Sequence, residues 1–287
     1  ITSKGNTELI SEMILNNFNQ ITWTDKGLRK NEFKIKNHLG FCQIQTSITQ
    51  FTEKRFCRAL YNKYSSNAHP LIGRIIDYET PLTEQRQGKT KVNQGDIDNI
   101  SIRENKSLLF IEAKKSQSNE SILKAVLEIF VYTMRLVKFN RIKQLKTDFD
   151  IALIKHIVPC VLTFEDSTSG NQILNIKEYP QFINLLKRIN KELVSYKIEP
   201  LEFYHIDKSF SDYSNMLIAQ NVKDNNKEKK ILLNSEIKIL QDFPELCGNN
   251  ENFENSILNS SDLINIEMLY RSYLTYYKEY AVSFIVK

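Results

Sequence analysis

Between residues 51 and 164 the spacing of apolar positions switches back and forth between helical and strand-like periods. Residues 51–64 (FTEKRFCRALYNKY) put Phe51, Phe56, Ala59 and Leu60 on one helical face, and the polar SSN that follows closes the helix. Residues 71–80 (LIGRIIDYET) read as a strand ended by Pro81. Ile97, Ile100 and Ile102 mark a second strand, and the short polar RENKS at 103–107 predicts a hairpin to a third. That third strand carries Leu108, Leu109, Phe110 and Ile111 without interruption, the pattern of a strand covered on both faces. Ile122, Ala125, Val126, Ile129, Thr133 and Leu136 then recur at helical spacing over 121–138. Residues 156–164 (HIVPCVLTF) predict a further strand, with Pro159 pointing to an edge or a bulge. The order is helix, three strands, helix, strand. It predicts an α/β protein with a central mixed sheet flanked by helices.

Outside this stretch the pattern is sparser. Residues 7–18 (TELISEMILNNF) predict a helix which, with Trp23, forms an N-terminal extension over 1–48, packed beside the first core helix. Beyond a core at 49–165, a C-terminal α/β extension over 166–287 is expected to pack on it. It contains a helix at 180–193 with proline in its first turn, a strand at 198–206, and a polar linker or loop at 221–230 (NVKDNNKEKK). Residues 263–280 (LINIEMLYRSYLTYYKEY) read as a Tyr-rich helix; its aromatics suit packing better than base stacking.

Composition narrows the chemistry. The 39 Lys and Arg exceed the 34 Asp and Glu by only five, so local concentration matters more than the total. Two basic runs stand out, at 26–38 and 135–146, and could follow a phosphate backbone; the bland reading is that lysine and asparagine are plentiful throughout. The four cysteines are scattered, with no C-x-x-C and no histidine at ligand spacing, which argues against a zinc site or disulfide framework and for reduced thiols in the cytoplasm. No apolar run has the length of a membrane span, and the first residues lack a signal-peptide pattern. Glycines do not fall in nucleotide-loop spacing, and no G-x-S-x-G turn is present.

The informative chemistry lies in residues 95–115 (GDIDNISIRENKSLLFIEAKK), where Asp98, Glu112 and Lys114 fall on two apparently buried strands. Burying each unpaired would cost several kcal/mol, so they are expected to be paired, exposed at a strand end, or bound to a metal. Glu112 and Lys114 are two apart and project from one strand face, and the hairpin sets Asp98 beside Glu112. Two carboxylates with a lysine suit phosphodiester hydrolysis assisted by Mg²⁺, which takes one or two protein carboxylates and keeps several waters. The competing reading is a structural salt bridge at a sheet rim. Asp96 shares the Asp98 face by period two, as a second ligand or a solvated neighbour. Glu79 either supports the site or ends its strand. Arg86, Lys89 and Lys91, in the polar loop at 83–93, and Lys115 after the motif, are candidate phosphate contacts.

The phrase GDIDNI…LLFIEAKK resembles the PD-(D/E)xK nuclease superfamily, whose signature is an Asp on one strand and Glu-x-Lys on the next. The resemblance implies a restriction-endonuclease-like core, in the order αβββαβ, and a metal-dependent nuclease. By the same resemblance, Asp98, Glu112 and the Ala113 carbonyl hold Mg²⁺ or Mn²⁺, Lys114 positions the attacking water, and Glu53 on the first core helix supports the site. RecB-like members also carry Gln-x-x-x-Tyr on the following helix. This chain has Glu128 and Tyr132 there, with Glu in place of Gln, and Lys124 with Glu128 is also an ordinary i,i+4 pair. The implied partner is nucleic acid, DNA in preference to RNA; cutting both strands of a duplex would favour a homodimer, and no membrane is implied. The alternative is a noncatalytic module of this fold, binding nucleic acid or protein in a defence or repair assembly.

Overall fold

The structure, a computed structural model, describes residues 4–35, 38–43, 52–83, 95–104, 106–207, 216–222, 225–234, 236–242 and 264–265. Helix α1 (Lys4–Asn16) is followed by two short strands, β1 (Ile21–Thr22) and β2 (Phe41–Gln43). The expected core then appears as α2 (Glu53–Tyr64), β3 (Arg74–Pro81), β4 (Asp96–Ile102), β5 (Ser107–Ala113), α3 (Ile122–Lys138) and β6 (His156–Phe164). A short helix not expected from the pattern, α4 (Ile142–Asp148), lies between α3 and β6. The remainder comprises α5 (Thr168–Leu174), α6 (Pro180–Ser195), β7 (Glu202–Ile206), β8 (Leu217–Val222), β9 (Asn225–Leu233), β10 (Ile239–Asp242) and β11 (Ile264–Asn265).

The chain is an α/β protein whose centre is a six-stranded mixed sheet in the order β10-β7-β6-β5-β4-β3. The pairs β3–β4, β4–β5 and β7–β10 are antiparallel, while β5–β6 and β6–β7 are parallel and joined by helical crossovers. Alternation along β5 explains the two covered faces. Leu108 and Phe110 pack with α3 residues Val126 and Ile129, and Leu109 and Ile111 pack with Phe56 and Leu60 of α2. Every residue of β5 is buried. Ser121 and Thr52 accept hydrogen bonds from Lys124 N and Arg55 N, capping α3 and α2 as polar residues ahead of an apolar face do.

Four expectations change. Pro159 lies in an interior strand, not at an edge or bulge: β6 pairs continuously with β5, and Phe110 faces Pro159. Even-numbered β6 residues bond toward β5, as Leu162 O does to Lys114 N, so Pro159 points toward β7, whose ladder starts only at Cys160 and Glu202. No donor is lost from the sheet. Residues 221–230 are not a linker; most of them belong to the β8–β9 hairpin, which joins β2 in a three-stranded sheet beside α2, with Ile231 and Leu217 against Ala59. The N-terminal helix packs on the α3 and α6 face instead of beside α2, because Glu8 caps α6 by accepting from Gln181 N and Phe182 N at 2.9 and 3.2 Å. The strand expected at 198–206 begins only at Glu202. The Tyr-rich segment lies outside the described residues except for β11, which pairs with β1. No helix among the described residues is long and apolar enough to cross a membrane.

Candidate metal centre where two strands part

The pairing of β4 with β5 runs from Ile102 opposite Leu108 to Asn99 opposite Ile111 and then stops. One step further along this register, Asp98 lies opposite Glu112. Here the Asp98 Oδ2 atom replaces a backbone partner, accepting from Ala113 N at 2.8 Å. Beyond that point β4 pairs only with β3 and β5 only with β6, so the two strands open into a fork. The carbonyl of Ala113 lies on the same strand edge as its N–H and faces the fork.

Glu112 and Lys114 share a face as their spacing requires, with Lys114 Nζ 2.6 Å from Glu112 Oε1. The same ammonium is 3.0 Å from Glu128 Oε2 on α3 and 3.0 Å from Glu120 Oε2 in the turn before it. Three carboxylates thus surround an ammonium that is only 2 % exposed. Each such contact is worth about 5 kcal/mol at an effective dielectric of ~20. Burial works against the charge of Lys114, yet the four surrounding glutamates raise its pKa well above the ordinary value and hold it protonated. Burial likewise opposes ionisation of Glu128, but Lys114 and Lys124 hold its pKa at about 2.

The remaining carboxylates are not compensated. Burial, with repulsion from Glu53, pushes the Asp98 carboxyl well up, and the pull of Lys114 and the Ala113 N–H does not cancel it. Glu112 is pushed up by burial and by Asp98, Glu128 and Glu53, against the pull of Lys114. Glu53, in the first turn of α2, is raised by burial and then by Glu120 and Glu128. Five carboxylates therefore act on one another around two ammonium groups, an excess of three negative charges when all are ionised. The Cys57 thiol beneath them is buried, and burial with the same carboxylates pushes it up, so it stays protonated.

Asp98, Glu112, Lys114, Ala113, Glu53 and Glu128 converge on this fork. Tyr132, one turn beyond Glu128, flanks its mouth. Its hydroxyl lies against Gly95, whose φ of +90° favours glycine as the chain enters β4. Two other candidates have partners of their own. Asp96, opposite Pro81, is 3.9 Å from Lys54, and Glu79 is held by the Arg58 guanidinium at 2.9 and 3.3 Å. Lys115 is half-buried beside the site. Arg86, Lys89 and Lys91 lie outside the described residues. Glu120 joins the cluster although its sequence surroundings, a polar turn, give it no periodic signal.

The donor set fits a hard divalent cation: two buried carboxylates, Asp98 and Glu112, a backbone carbonyl on the open edge, and an excess of negative charge for a cation to neutralise when the carboxylates ionise. Among the described residues no three His, Cys, Asp or Glu side chains form a ready-made metal cage. Mg²⁺ held by two carboxylates, a carbonyl and waters does not need one. Comparison of the chain with protein-family models, with curated proteins and with solved structures returned no match.

Proposed function

We propose that this chain is a metal-dependent nuclease of the PD-(D/E)xK type, with a restriction-endonuclease-like core formed by α2, β3, β4, β5, α3 and β6. The observation that carries the reading is the fork itself: Asp98 and Glu112 meet where β4 leaves β5, with a buried, protonated Lys114 two residues on. In this reading Asp98, Glu112 and the Ala113 carbonyl hold Mg²⁺ or Mn²⁺. An ion bound there would polarise a phosphoryl oxygen and lower the pKa of its water. Lys114 orients the attacking water and offsets charge developing on the phosphate. Glu128 and Glu120 keep that ammonium charged and in place, and Glu53 supports the site from α2. Nucleic acid, DNA in preference to RNA, is the proposed substrate.

The test is incubation of wild type and Asp98→Ala with labelled single- and double-stranded DNA and RNA, in Mg²⁺, Mn²⁺ or EDTA. Metal-dependent cutting that is lost in the variant is the expected result. Nucleic-acid binding without cutting under any condition would replace this reading with that of a noncatalytic module.

A further inference from the structure

The two basic runs lie more than a hundred residues apart in sequence, yet the fold packs them together. Arg135 Nη2 donates to the Lys26 carbonyl at 3.0 Å, Phe33 N donates to Asp148 Oδ2 at 2.7 Å, and the Arg141 guanidinium lies over the Phe33 ring at 5.7 Å. Residues 25–34 and 135–150 together hold nine Lys and Arg against four Asp and Glu, an excess of five. That equals the formal net charge of the entire chain, +5, so the other residues balance and the charge is gathered here. Two Arg141 nitrogens, Nε and Nη2, are buried without a hydrogen-bond partner. Lys26, Lys34 and Lys143 are exposed.

This surface is joined to the fork at both ends. Helix α3 carries Lys124 and Glu128 in the site and Arg135 on the basic surface; at 1.5 Å per residue, Arg135 is about 10 Å beyond Glu128. From the other side, Leu28 bridges Thr83 and Arg29 N donates to the Leu82 carbonyl, tying the first run to the end of β3 beside the start of β4.

We propose that the surface formed by Lys26, Lys34, Arg135, Arg141 and Lys143 holds the phosphate backbone of a nucleic-acid strand whose scissile phosphate lies at the fork. The inference rests on the nuclease reading for the role of the fork, and on charge and packing for the surface itself. An excess of cations beside an excess of carboxylates divides the labour: the basic surface attracts the polyanion, and the fork, which alone would repel it, waits for a metal. A distance of about 10 Å spans roughly three backbone steps at 3.4 Å each, the reach of one short strand segment. Anionic membrane is the poorer fit, because Leu28, Phe33, Leu136 and Leu145 of these segments are buried and leave no apolar face to enter a bilayer.

The test compares wild type, Asp98→Asn and the triple variant Lys26→Gln/Lys34→Gln/Lys143→Gln. Anisotropy of labelled single-stranded and duplex oligonucleotides is read in EDTA across a salt series. The substituted lysines are exposed, so the triple variant retains the fold. Its affinity is expected to fall at least about tenfold, with the slope of log K against log salt smaller by about 2–3, while Asp98→Asn binds no more weakly than wild type. Such binding by a wild type that cuts nothing in Mg²⁺ or Mn²⁺ would leave this surface established and overturn the nuclease reading alone. Unchanged affinity and slope in the triple variant would overturn the surface whatever the cleavage result. So would a wild type that binds anionic phospholipid vesicles and no oligonucleotide.

Discussion

On the β7 side of the sheet, Arg103 meets Glu202 and Tyr204, and His205 meets Asp242 at 2.8 Å, so each basic side chain is hydrogen-bonded to one carboxylate. On the β4–β5 side, five carboxylates share Lys114 and Lys124. Both groups are largely withdrawn from water, so burial of charge does not separate them; balance does. A balanced pair repays part of its desolvation and ties elements together: Arg103 follows β4, and Glu202 stands on β7. An unbalanced cluster costs stability until something positive arrives.

The largest effect is expected at Lys114. Lys114→Met leaves Glu112, Glu120 and Glu128 facing one another in a buried site and is expected to cost about 3–5 kcal/mol in metal-free protein, measured by urea denaturation in EDTA. A loss below about 1 kcal/mol would mean that the glutamates are not held as charges. Next come the carboxylates. On the balanced side, removing either partner strands the other, so Arg103→Met and Glu202→Gln should each cost about 2 kcal/mol. In the fork, Asp98→Asn keeps an acceptor for Ala113 N while removing a carboxyl that burial and Glu53 push toward its neutral form, and should leave metal-free stability within about 1 kcal/mol of wild type or above it. A loss as large as that of Arg103→Met would put the two clusters in one class.

The smallest effect concerns His205. Its hydrogen bond to Asp242 outweighs burial and raises its pKa, with Glu165 and Asp207 adding to the pull. The pair's contribution of about 1 kcal/mol is then fully present below the ordinary histidine pKa of ~6.5 and lost as pH rises through the raised value. Thermal denaturation from pH 6 upward should show this loss in wild type and not in Asp242→Asn; identical profiles would remove the charge from that pair.

Much of this contrast was legible before the fold. The apolar run Leu108–Leu109–Phe110–Ile111 could only be a strand covered on both sides, and spacing of two put Glu112 and Lys114 on one face. Asp98 opposite Glu112 followed from a short polar turn. What was not legible depended on contacts between distant segments. Glu120 sits in a turn whose polarity looks solvated, and only the arrival of β5 beneath it brings it to Lys114. Pro159 reads as an edge signal because the sequence does not reveal that its missing donor points beyond the start of β7. The asparagine- and lysine-rich stretch at 221–230 looks like a linker, and it forms a hairpin because β2 and the surface of α2 supply partners. The two basic runs were visible, but not that Arg135 reaches the backbone of Lys26.

The most direct measurement is a Mn²⁺ titration of wild type and of Asp98→Asn/Glu112→Gln, followed by calorimetry at fixed pH. A metal centre at the fork predicts Mn²⁺ binding by wild type that is lost in the double variant, which keeps the hydrogen-bonding shape of the fork and removes two of its carboxylates. Equal binding by both proteins, or none by wild type, would contradict it.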